Sequence, residues 1–394
     1  MVAPKESRPN SDLPEKPIRL LLVAPALRIL GGQAVQANYL IEHLAREPMF
    51  KASFVPHNPR LPGPLKLLQS IKYVRTIVTS LLYWITLLIQ VPKHDIVHTF
   101  SASYFSFLLA PTPAILIGRF FGKKIILNYR SGEAEDHLRT WRRTAIPILK
   151  LADEIIVPSR YLVDVFSKFG LRARPIANVI DPDRFKFRAR QPLQPIFLSN
   201  RNLYPLYNVP CILRAFSKIQ QKLPDARLII AGDGSQRASL ESLVGELKLR
   251  NIEFRGPVAP PKMNELYDEA HIFLNSSNID NMPGSILESF ACGVPVVSTS
   301  AGGIRWIVTH GKNGLLVPRN DHDGMASWAI RLIKSPELAD SIVRNAYDEC
   351  SAYTWPAVRE AWLAVYARLA GHGSALMNSD QKQSVFISEN ARSI

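Results

Sequence analysis

The sequence contains little cysteine and no convincing metal motif. Its 394 residues include three cysteines, Cys211, Cys292 and Cys350, whose wide spacing and odd number fit neither a zinc site nor a disulfide framework. Few cysteines favour a reducing compartment, so we expect a cytoplasmic protein. No Asp-x-Asp metal motif stands in a suitable place. The sequence therefore predicts no bound metal and no cofactor.

We expect no secretory signal at the start of this sequence. The first 17 residues are polar and proline-rich and include acids, unlike a signal peptide. We expect residues 1–17 and the polar, non-periodic residues 371–394 to be disordered. The hydrophobic fraction of 47% and the charged fraction of 21% are ordinary for a globular protein. The length allows two α/β domains.

Acidic residues are scarce in the first half of the chain. Residues 1–190 carry 28 Lys and Arg against 14 Asp and Glu, whereas the remainder carries 20 against 19. A basic first half indicates an anionic partner. Because zinc-finger, helix-turn-helix and aromatic-basic RNA motifs are missing, we do not expect nucleic acid. An anionic membrane surface or an acidic lipid carrier fits the charge better.

Residues 76–92 form the most hydrophobic stretch and carry no charge. They follow Lys66, Lys72 and Arg75. The stretch is shorter than the ~20 residues that a membrane-spanning helix needs. One alternative is a helix packed in the first domain. A second is an interfacial segment whose Tyr83, Trp84 and leucines enter lipid, and a true span is disfavoured because a soluble fold continues on both sides.

Buried strands followed by polar loops organise the first half. A strand at 18–25 is followed by Gly31 and Gly32 and then by a helical pattern, which suits a loop approached by phosphate. Strands at 95–101 and 123–132 would place polar residues at the ligand-binding edge of a doubly wound sheet.

Two of these polar residues are candidate catalytic groups. His98 and Arg130 are predicted at strand ends. A single histidine is more often structural. Arginine cannot act as a base, so Arg130 could at most hold charge.

The second half is organised around residues 276–298. A strand and a polar loop precede a helix that begins near Pro283, with Ser285 as the cap and Glu288 as its capping-box partner. This unit places a helix N-terminus and free N–H groups at the ends of parallel strands, which suits a diphosphate. Asp280 and Glu288 would then accept hydrogen bonds from sugar or ribose hydroxyls. The alternative is that Glu288 only caps its helix and Asp280 only forms a turn.

The spacing Asp280-x7-Glu288, with the run 289–297 and Ala301-Gly302-Gly303, resembles the E-x7-E signature of a known family. It is similar to the retaining GT-B glycosyltransferases of glycosyltransferase family four. The likeness covers roughly residues 18–370. Asp280 stands where the family has Glu, so this carboxylate is one methylene shorter.

This resemblance implies an α/β fold of the GT-B type, with two Rossmann-like domains facing across a cleft. The acceptor domain would span residues 18–190, the donor-binding domain 191–352, and a helix at 353–370 would cross back to the first domain. The resemblance implies catalytic roles for Asp280, Arg130 and His98. The implied donor-binding residues are Gly31, Gly32, Arg201, Gly256, Val258, Gly284, Ser285, Ile286 and Glu288.

One departure from the family concerns the phosphate-binding cations. Arg201 resembles the family's phosphate-binding arginine, but the companion lysine would fall at Leu206. Residues 202–209 contain no cation. The family also often has a histidine where Arg130 stands.

The resemblance implies transfer of a sugar, with retained anomeric configuration, from a nucleoside-diphosphate sugar to a glycan or lipid-linked acceptor. Attack would occur on the front face, and the leaving phosphate would help to deprotonate the acceptor hydroxyl. We expect a role in polysaccharide synthesis at the inner face of the membrane. The alternatives are a sugar-nucleotide epimerase of the same fold and a non-catalytic homologue.

Overall fold

The computed structural model describes residues 16–26, 31–60, 63 and 71–371. Lys66 and nearly all of the predicted disordered segments, 1–17 and 371–394, lie outside these residues. The side chain of Lys72 is also outside the description.

The first half forms a parallel sheet whose described strands run in the order β2–β1–β3–β4–β5–β6. These strands are β1 (Ile18–Ala24), β2 (Phe50–Pro56), β3 (Ile96–Ser101), β4 (Lys124–Tyr129), β5 (Glu154–Val157) and β6 (Arg174–Pro175). Strands β1, β3, β4 and β5 are almost entirely buried, as expected for parallel strands covered by helices on both faces. The chain order reverses between β1 and β3. Their carboxyl ends therefore form a natural ligand-binding crevice.

Helices cover both faces of this first sheet. They are α1 (Gly32–Leu44), α2 (Lys72–Gln90), α3 (Tyr104–Leu109), α4 (Pro111–Phe120), α5 (Ala134–Thr140), α6 (Arg142–Leu149) and α7 (Arg160–Ser167). Helices α2 to α7 pack on one face, where Tyr83, Phe107 and Ile115 join the core. Helix α1 packs on the other face through Ala37 and Leu40.

The second half repeats this architecture in residues 196–350. Its strands, within the described part of the chain, run in the order β12–β11–β10–β7–β8–β9 and are all parallel. They are β7 (Ile196–Asn200), β8 (Arg227–Ala231), β9 (Ile252–Gly256), β10 (Ile272–Asn275), β11 (Val296–Thr299) and β12 (Leu315–Val317). The chain order reverses between β7 and β10, so the loops after these two strands meet at one place.

The helices of the second half are α8 (Val209–Lys222), α9 (Arg237–Glu246), α10 (Met263–Glu269), α11 (Gly284–Ala291), α12 (His322–Lys334) and α13 (Pro336–Cys350). A last helix, α14 (Trp355–Leu369), leaves this half and packs on the first sheet. Its Trp362 and Tyr366 are buried against strand residues such as Ile96 and Ile126. The predicted helix that crosses back to the first domain is therefore confirmed.

The uncharged stretch 76–92 lies within α2 and the single turn that follows it. One face of α2 is packed in the core through Tyr83 and Leu87, which are 1% and 0% exposed. Among the described helices, α2 is long and apolar enough to cross a membrane by length and composition. In the most apolar segment of this helix, however, only 17% of the residues are buried. The packed-helix alternative thus accounts for one face of α2 and leaves the other apolar face open.

Candidate active site

A cleft of about 1180 Å³ lies between the carboxyl ends of the two sheets. Gly31, Gly32 and Arg130 line it from the first half. From the second half it is lined by Arg201, Asp280, Gly284, Ser285 and Glu288. The fold therefore brings most of the predicted site residues to one cavity.

Arg201 and Asp280 form an ion pair at the reversal point of the second sheet. Arg201 follows β7 and Asp280 lies in the loop after β10, two strands that are adjacent in the sheet. The two side chains are only 11% and 12% exposed. Nη1 of Arg201 also donates to Oγ of Ser285 at 3.1 Å. The ion pair thus joins the loop that carries Asp280 to the N-terminus of α11.

Glu288 returns from the second turn of α11 to the cleft. The Tyr267 hydroxyl donates to its Oε2 at 2.7 Å, and no hydrogen bond to a described residue involves Oε1. Burial raises the pKa of Glu288, while the Tyr267 hydrogen bond and the positive charges of Arg201 and Arg184 oppose this rise. One carboxylate oxygen is therefore held in place, and the other remains available to a ligand.

The predicted capping box at the start of α11 is wrong. The helix begins at Gly284, with Pro283 as the N-cap residue and no side chain capping it. Ser285 and Glu288 bind Arg201 and Tyr267 instead, and these tertiary partners replace the local hydrogen bonds that the spacing predicted. The first N–H groups of the helix are left for a ligand.

The loop that carries Asp280 rests on Gly302 and Gly303. A Cβ atom at Gly302 would lie 2.2 Å from the backbone oxygen of Asp280, and one at Gly303 would lie 2.0 Å from that of Asn281. The backbone of Gly302 also has a φ of +51°. Only glycine fits at these two positions, so the Ala301-Gly302-Gly303 run positions the acidic loop.

Arg130 follows β4 and connects the two halves of the chain. Its Nε donates to Oδ1 of Asn128 at 2.9 Å, and its Nη1 donates to Oδ1 of Asn178. Asn178 in turn donates to the backbone oxygen of Met282 at 2.7 Å. Burial lowers the pKa of Arg130 to about 9, which still leaves it protonated at neutral pH. Arg130 thus places a fixed positive charge in the cleft, in keeping with the prediction that it cannot act as a base.

His98 does not line the cleft, and its predicted position at a strand end is wrong. It lies in the middle of β3, fully buried, and its Nδ1 is 2.8 Å from the Tyr366 hydroxyl of α14. Burial lowers the pKa of His98 to about 3, so the ring is neutral. Nδ2 of Asn128 lies 3.1 Å from its Nε2.

The hydrogen bonds around His98 have a fixed direction. Because Oδ1 of Asn128 accepts from Arg130, Nδ2 of Asn128 must donate to Nε2 of His98. Nδ1 of His98 therefore carries the proton and donates to Tyr366. His98 contacts Arg130 indirectly, through Asn128 and through the Phe100 ring, and this arrangement fits a positioning role.

The two glycines of the first half leave open space in the cleft. Gly31 precedes α1 in an extended conformation, with a φ of −176°. A Cβ atom at Gly31 or Gly32 would contact nothing within 4 Å among the described residues. The described part of the chain does not require glycine here, so the space suits a ligand.

Of the three remaining residues predicted to bind the donor, one lines the cleft and two do not. Val258 lines the cleft, and Gly256 ends β9 just before it with a φ of +66°. Ile286 is fully buried in the core of the second half, and its N–H already donates to the Pro283 oxygen at 3.2 Å. Of the predicted N-terminal amides of α11, this leaves those of Gly284 and Ser285.

Arg184 is a residue of the cleft that the sequence did not single out. Its Nη1 donates to the Tyr39 hydroxyl at 3.1 Å, and its guanidinium lies 5.2 Å from the centroid of the same ring. It forms no ion pair within the described residues. Arg184 and Leu206 both line the cleft. Leu206, at the position of the family's lysine, supplies no charge, whereas Arg184 provides a cation from the other side of the cleft. Its position depends on the contact with α1, which no local pattern reveals.

The described part of the chain contains no candidate metal centre. The residues from 16 to 371 that the structure describes contain no group of three or more His, Cys, Asp or Glu side chains that could hold a metal ion.

Comparisons with known proteins assign the second half to a family. Residues 181–349 match the family model for glycosyl transferases group 1. An exopolysaccharide phosphotransferase of Streptomyces coelicolor is 30% identical over 213 residues, which cover 53% of this chain and 22% of that protein. The N-acetyl-alpha-D-glucosaminyl L-malate synthase of Bacillus anthracis is 32% identical over 144 residues, covering 36% and 37%. The matches thus span well under half the length of these two relatives.

A solved structure extends the likeness to nearly the whole fold. Anabaena HepE, crystallised with UDP-glucose, superposes with a TM-score of 0.72 at 16% identity, covering 89% of this chain and 100% of HepE. At this identity the likeness concerns the fold alone. It confirms the predicted GT-B arrangement of two Rossmann-like domains, and the family match confirms the predicted glycosyltransferase family for residues 181–349.

Proposed function

We propose that this chain, whose residues 181–349 form a glycosyl transferases group 1 domain, is a retaining glycosyltransferase. It moves a sugar from a nucleoside-diphosphate sugar to a glycan or lipid-linked acceptor, at the cytoplasmic side of a membrane. The observation that carries the proposal is the group formed by Arg201, Asp280 and Glu288 around the N-terminus of α11. The structure of HepE with UDP-glucose, a protein of the same fold, supports the choice of donor.

The donor diphosphate binds at the N-terminus of α11 in this proposal. The N–H groups of Gly284 and Ser285 and the helix dipole favour an anion there. Arg201 lies beside Ser285, and Arg184 supplies a second cation from the first half. These groups neutralise the diphosphate without a metal, and Arg184 takes the place of the lysine that is missing at Leu206.

The two carboxylates bind hydroxyl groups of the donor. Oε1 of Glu288 accepts from the ribose, while Tyr267 keeps the carboxylate in place through Oε2. Asp280 accepts from the transferred sugar, and its ion pair with Arg201 keeps it oriented. The leaving phosphate then removes the proton of the acceptor hydroxyl on the same face of the sugar. Such positioned charge contributes more to the rate in a closed cleft than in water.

A titration with nucleoside diphosphates tests the donor site. We expect one of UDP, GDP or ADP to stabilise the folded protein by about 2.7 kcal/mol at a concentration one hundred times its Kd. Glu288→Gln should weaken this binding at least tenfold. The control Glu246→Gln, at an exposed position of α9, should not change it. No binding by any of the three would contradict an active transferase and favour the non-catalytic alternative.

Product analysis tests the reaction itself. Incubation with the matching nucleotide sugar should release the nucleoside diphosphate, by transfer or by slow hydrolysis, with the anomeric configuration retained. EDTA should leave the rate unchanged, because the proposed site uses no metal. Recovery of an epimerised nucleotide sugar with no released nucleoside diphosphate would favour the epimerase alternative instead.

A further inference from the structure

The first half presents an unusually large apolar surface to solvent, on α2, α3 and α4. We call it the outer apolar face. Its exposed side chains are Ile77, Leu81, Trp84, Ile85, Leu88, Ile89, Phe105, Leu109, Leu116, Phe120 and Phe121. Of these, Phe120 is 81% exposed and Phe105 71%. Isolated exposed apolar residues are normal, but a contiguous group of this size marks an interaction surface.

These side chains belong to one surface because the helices are neighbours. Helices α2 and α4 pack side by side on the same face of the first sheet. The Tyr83 hydroxyl donates to the Ala110 oxygen at 2.6 Å and so attaches α2 to the junction of α3 and α4. On α2 the exposed positions 77, 81, 84 and 88 recur at helical spacing. The helix therefore presents an apolar stripe along its whole length while its opposite side is held in the core.

The charge around this face favours an anionic bilayer as its partner. Residues 71–124 contain six Lys and Arg residues and one acid, Asp95, which is paired with Arg19. Arg75, Lys93 and Lys123 form no ion pair within the described residues. A second copy of this basic half would bring like charges together. Anionic lipid complements the charge, and Trp84 suits the headgroup boundary.

The cleft opens beside this same face. Arg75, Thr76, Thr79 and Ser80 of α2 line the cleft that also contains Asp280. Successive helical residues point about 100° apart, so Ile77 and Leu81 turn outward where Thr76 and Ser80 turn into the cleft. Arg60 lines the cleft as well and, like Arg75, is exposed and without an ion pair among the described residues.

From this arrangement we propose that the outer apolar face docks on an anionic phospholipid bilayer, so that the cleft receives a lipid-linked acceptor from the membrane. Arg60 and Arg75 bind the phosphate groups that join the acceptor glycan to its lipid. The lipid remains in the bilayer, and the glycan extends past α2 towards Asp280. The part of this inference that concerns the acceptor rests on the proposed glycosyl transfer. The docking of the outer apolar face on a bilayer does not depend on that proposal.

Vesicle co-sedimentation of the full chain tests the docking. We expect binding to vesicles of phosphatidylcholine with phosphatidylglycerol at low salt. High salt should weaken this binding without abolishing it, because salt screens the charges and leaves apolar burial intact. Vesicles of phosphatidylcholine alone should bind at least tenfold less. The exposed-site variant Ile77→Gln/Trp84→Gln/Leu88→Gln should lose the salt-resistant part, whereas Tyr347→Gln, at an exposed aromatic of α13, should not.

A second comparison tests the acceptor site. Polyisoprenyl diphosphate is placed in phosphatidylcholine vesicles at the same surface charge as the phosphatidylglycerol. The protein should bind these vesicles more tightly. Arg60→Gln/Arg75→Gln should remove this preference, because the loss of each charge should weaken vesicle binding about fivefold. The control Lys222→Gln/Lys334→Gln removes two exposed charges from the second half and should keep it. An equal loss in the control would overturn the assignment of Arg60 and Arg75.

The nucleoside-diphosphate titration separates failure of this inference from failure of the proposed function. Protein that binds its nucleoside diphosphate but ignores acidic vesicles at low salt would overturn the docking and leave the transferase proposal intact. Vesicle binding without nucleotide binding would do the reverse. A third outcome is that the unaltered protein dimerises and does not bind vesicles, and that the Ile77→Gln/Trp84→Gln/Leu88→Gln variant no longer dimerises. This outcome would identify the face as a dimer interface and would also overturn the docking.

Discussion

The two walls of the cleft are built on similar parallel sheets but differ in how far their polar groups are already paired. On the second-half wall, Asp280 is bound by Arg201, and Glu288 is bound by Tyr267. On the first-half wall, Gly31 leaves open space, and Arg60 and Arg75 are exposed. A preorganised wall suits a constant ligand, because its geometry is fixed before binding. An open wall suits an acceptor whose structure differs from one relative to another.

The largest expected effect concerns the packed glycines of the second-half wall. Gly303→Ala should lower the free energy of unfolding by about 3 kcal/mol or more, because its Cβ would lie 2.0 Å from the Asn281 oxygen. Nucleotide binding should be lost with it. Urea unfolding and a nucleotide titration measure the two effects. If the free energy of unfolding and the nucleotide affinity both equal those of the unaltered chain, the loop must move aside, and the wall is less rigid than the contacts indicate.

Replacing Asp280 should separate the sugar site from the nucleotide site. Asp280→Asn removes a charge-assisted hydrogen bond worth about 1.5–3 kcal/mol, which corresponds to roughly 10- to 150-fold in turnover. Binding of the bare nucleoside diphosphate should stay the same or tighten, because Arg201 loses its ion-pair partner. Steady-state kinetics and calorimetry measure the two. Equal losses in both would indicate that the Asp280 loop has collapsed.

Glu288 should make donor binding depend on pH. Burial raises the pKa of Glu288, so on acidification the charged form that accepts from ribose is lost at a higher pH than it would be for an exposed glutamate. The affinity of the unaltered protein should therefore fall on acidification from neutral pH. Glu288→Gln should bind the donor weakly at every pH, with a flatter profile. Calorimetry across this pH range checks the difference, and identical profiles would remove Glu288 from the donor site.

The same raised pKa predicts the stability of this variant. A buried carboxyl whose folded pKa is raised contributes stability below its unfolded pKa and loses it as the pH rises through the folded pKa. Glu288→Gln should therefore have a higher Tm than the unaltered protein at neutral pH, and the difference should shrink in acid. Without ligand, a lower Tm at neutral pH would mean that the Tyr267 hydrogen bond outweighs the burial of the charge.

The open wall should respond in the opposite way to an added methyl group. Gly31→Ala meets no atom of the described residues within 4 Å and needs no change of its extended backbone, so the free energy of unfolding should change by less than about 1 kcal/mol. The methyl group enters the cleft, and turnover should fall about tenfold. Set beside Gly303→Ala, this pair distinguishes glycines kept for packing from glycines kept for ligand. Unchanged turnover would show that no ligand approaches Gly31.

The smallest expected effect on turnover comes from the hydrogen bonds behind Arg130. His98→Leu leaves Nδ2 of Asn128 and the Tyr366 hydroxyl without their partner, which costs about 1–3 kcal/mol of stability. Turnover should fall only a few-fold, because Arg130 keeps Asn178. Tyr366→Phe should lose less in both measurements. A loss of turnover as large as that of Asp280→Asn would make His98 more than a positioning residue.

Many features of the second-half wall could be predicted from the sequence, because its signals are close together in the chain. The strand, the polar loop, the helix at Gly284 and the glycine pair at 302–303 fall within about thirty residues. Apolar runs and turn residues define such a unit locally. The two-domain fold was predicted from the chain length and from the resemblance to a known family.

The partners of the polar side chains could not be predicted in this way. Glu288 is held by Tyr267 from α10, and Ser285 by Arg201 from the end of β7. His98 lies in the middle of its strand, and its bond to Tyr366 spans 268 residues of sequence. The capping box and the position of His98 at a strand end were plausible locally. Both predictions were wrong because elements far apart in the chain lie side by side.

The sequence by itself determined the strand–loop–helix units at the cleft, the acidic spacing of the second-half wall and the basic character of the first half. Only the tertiary structure decided which side chains meet, that Arg184 faces the cleft, and that one side of α2 stays exposed beside the cleft mouth. Apolar periodicity is a property of neighbouring residues, and the sequence therefore carries it directly. The partner of a buried charge and the exposed side of an apolar helix depend on which elements pack together, and that depends on the whole chain.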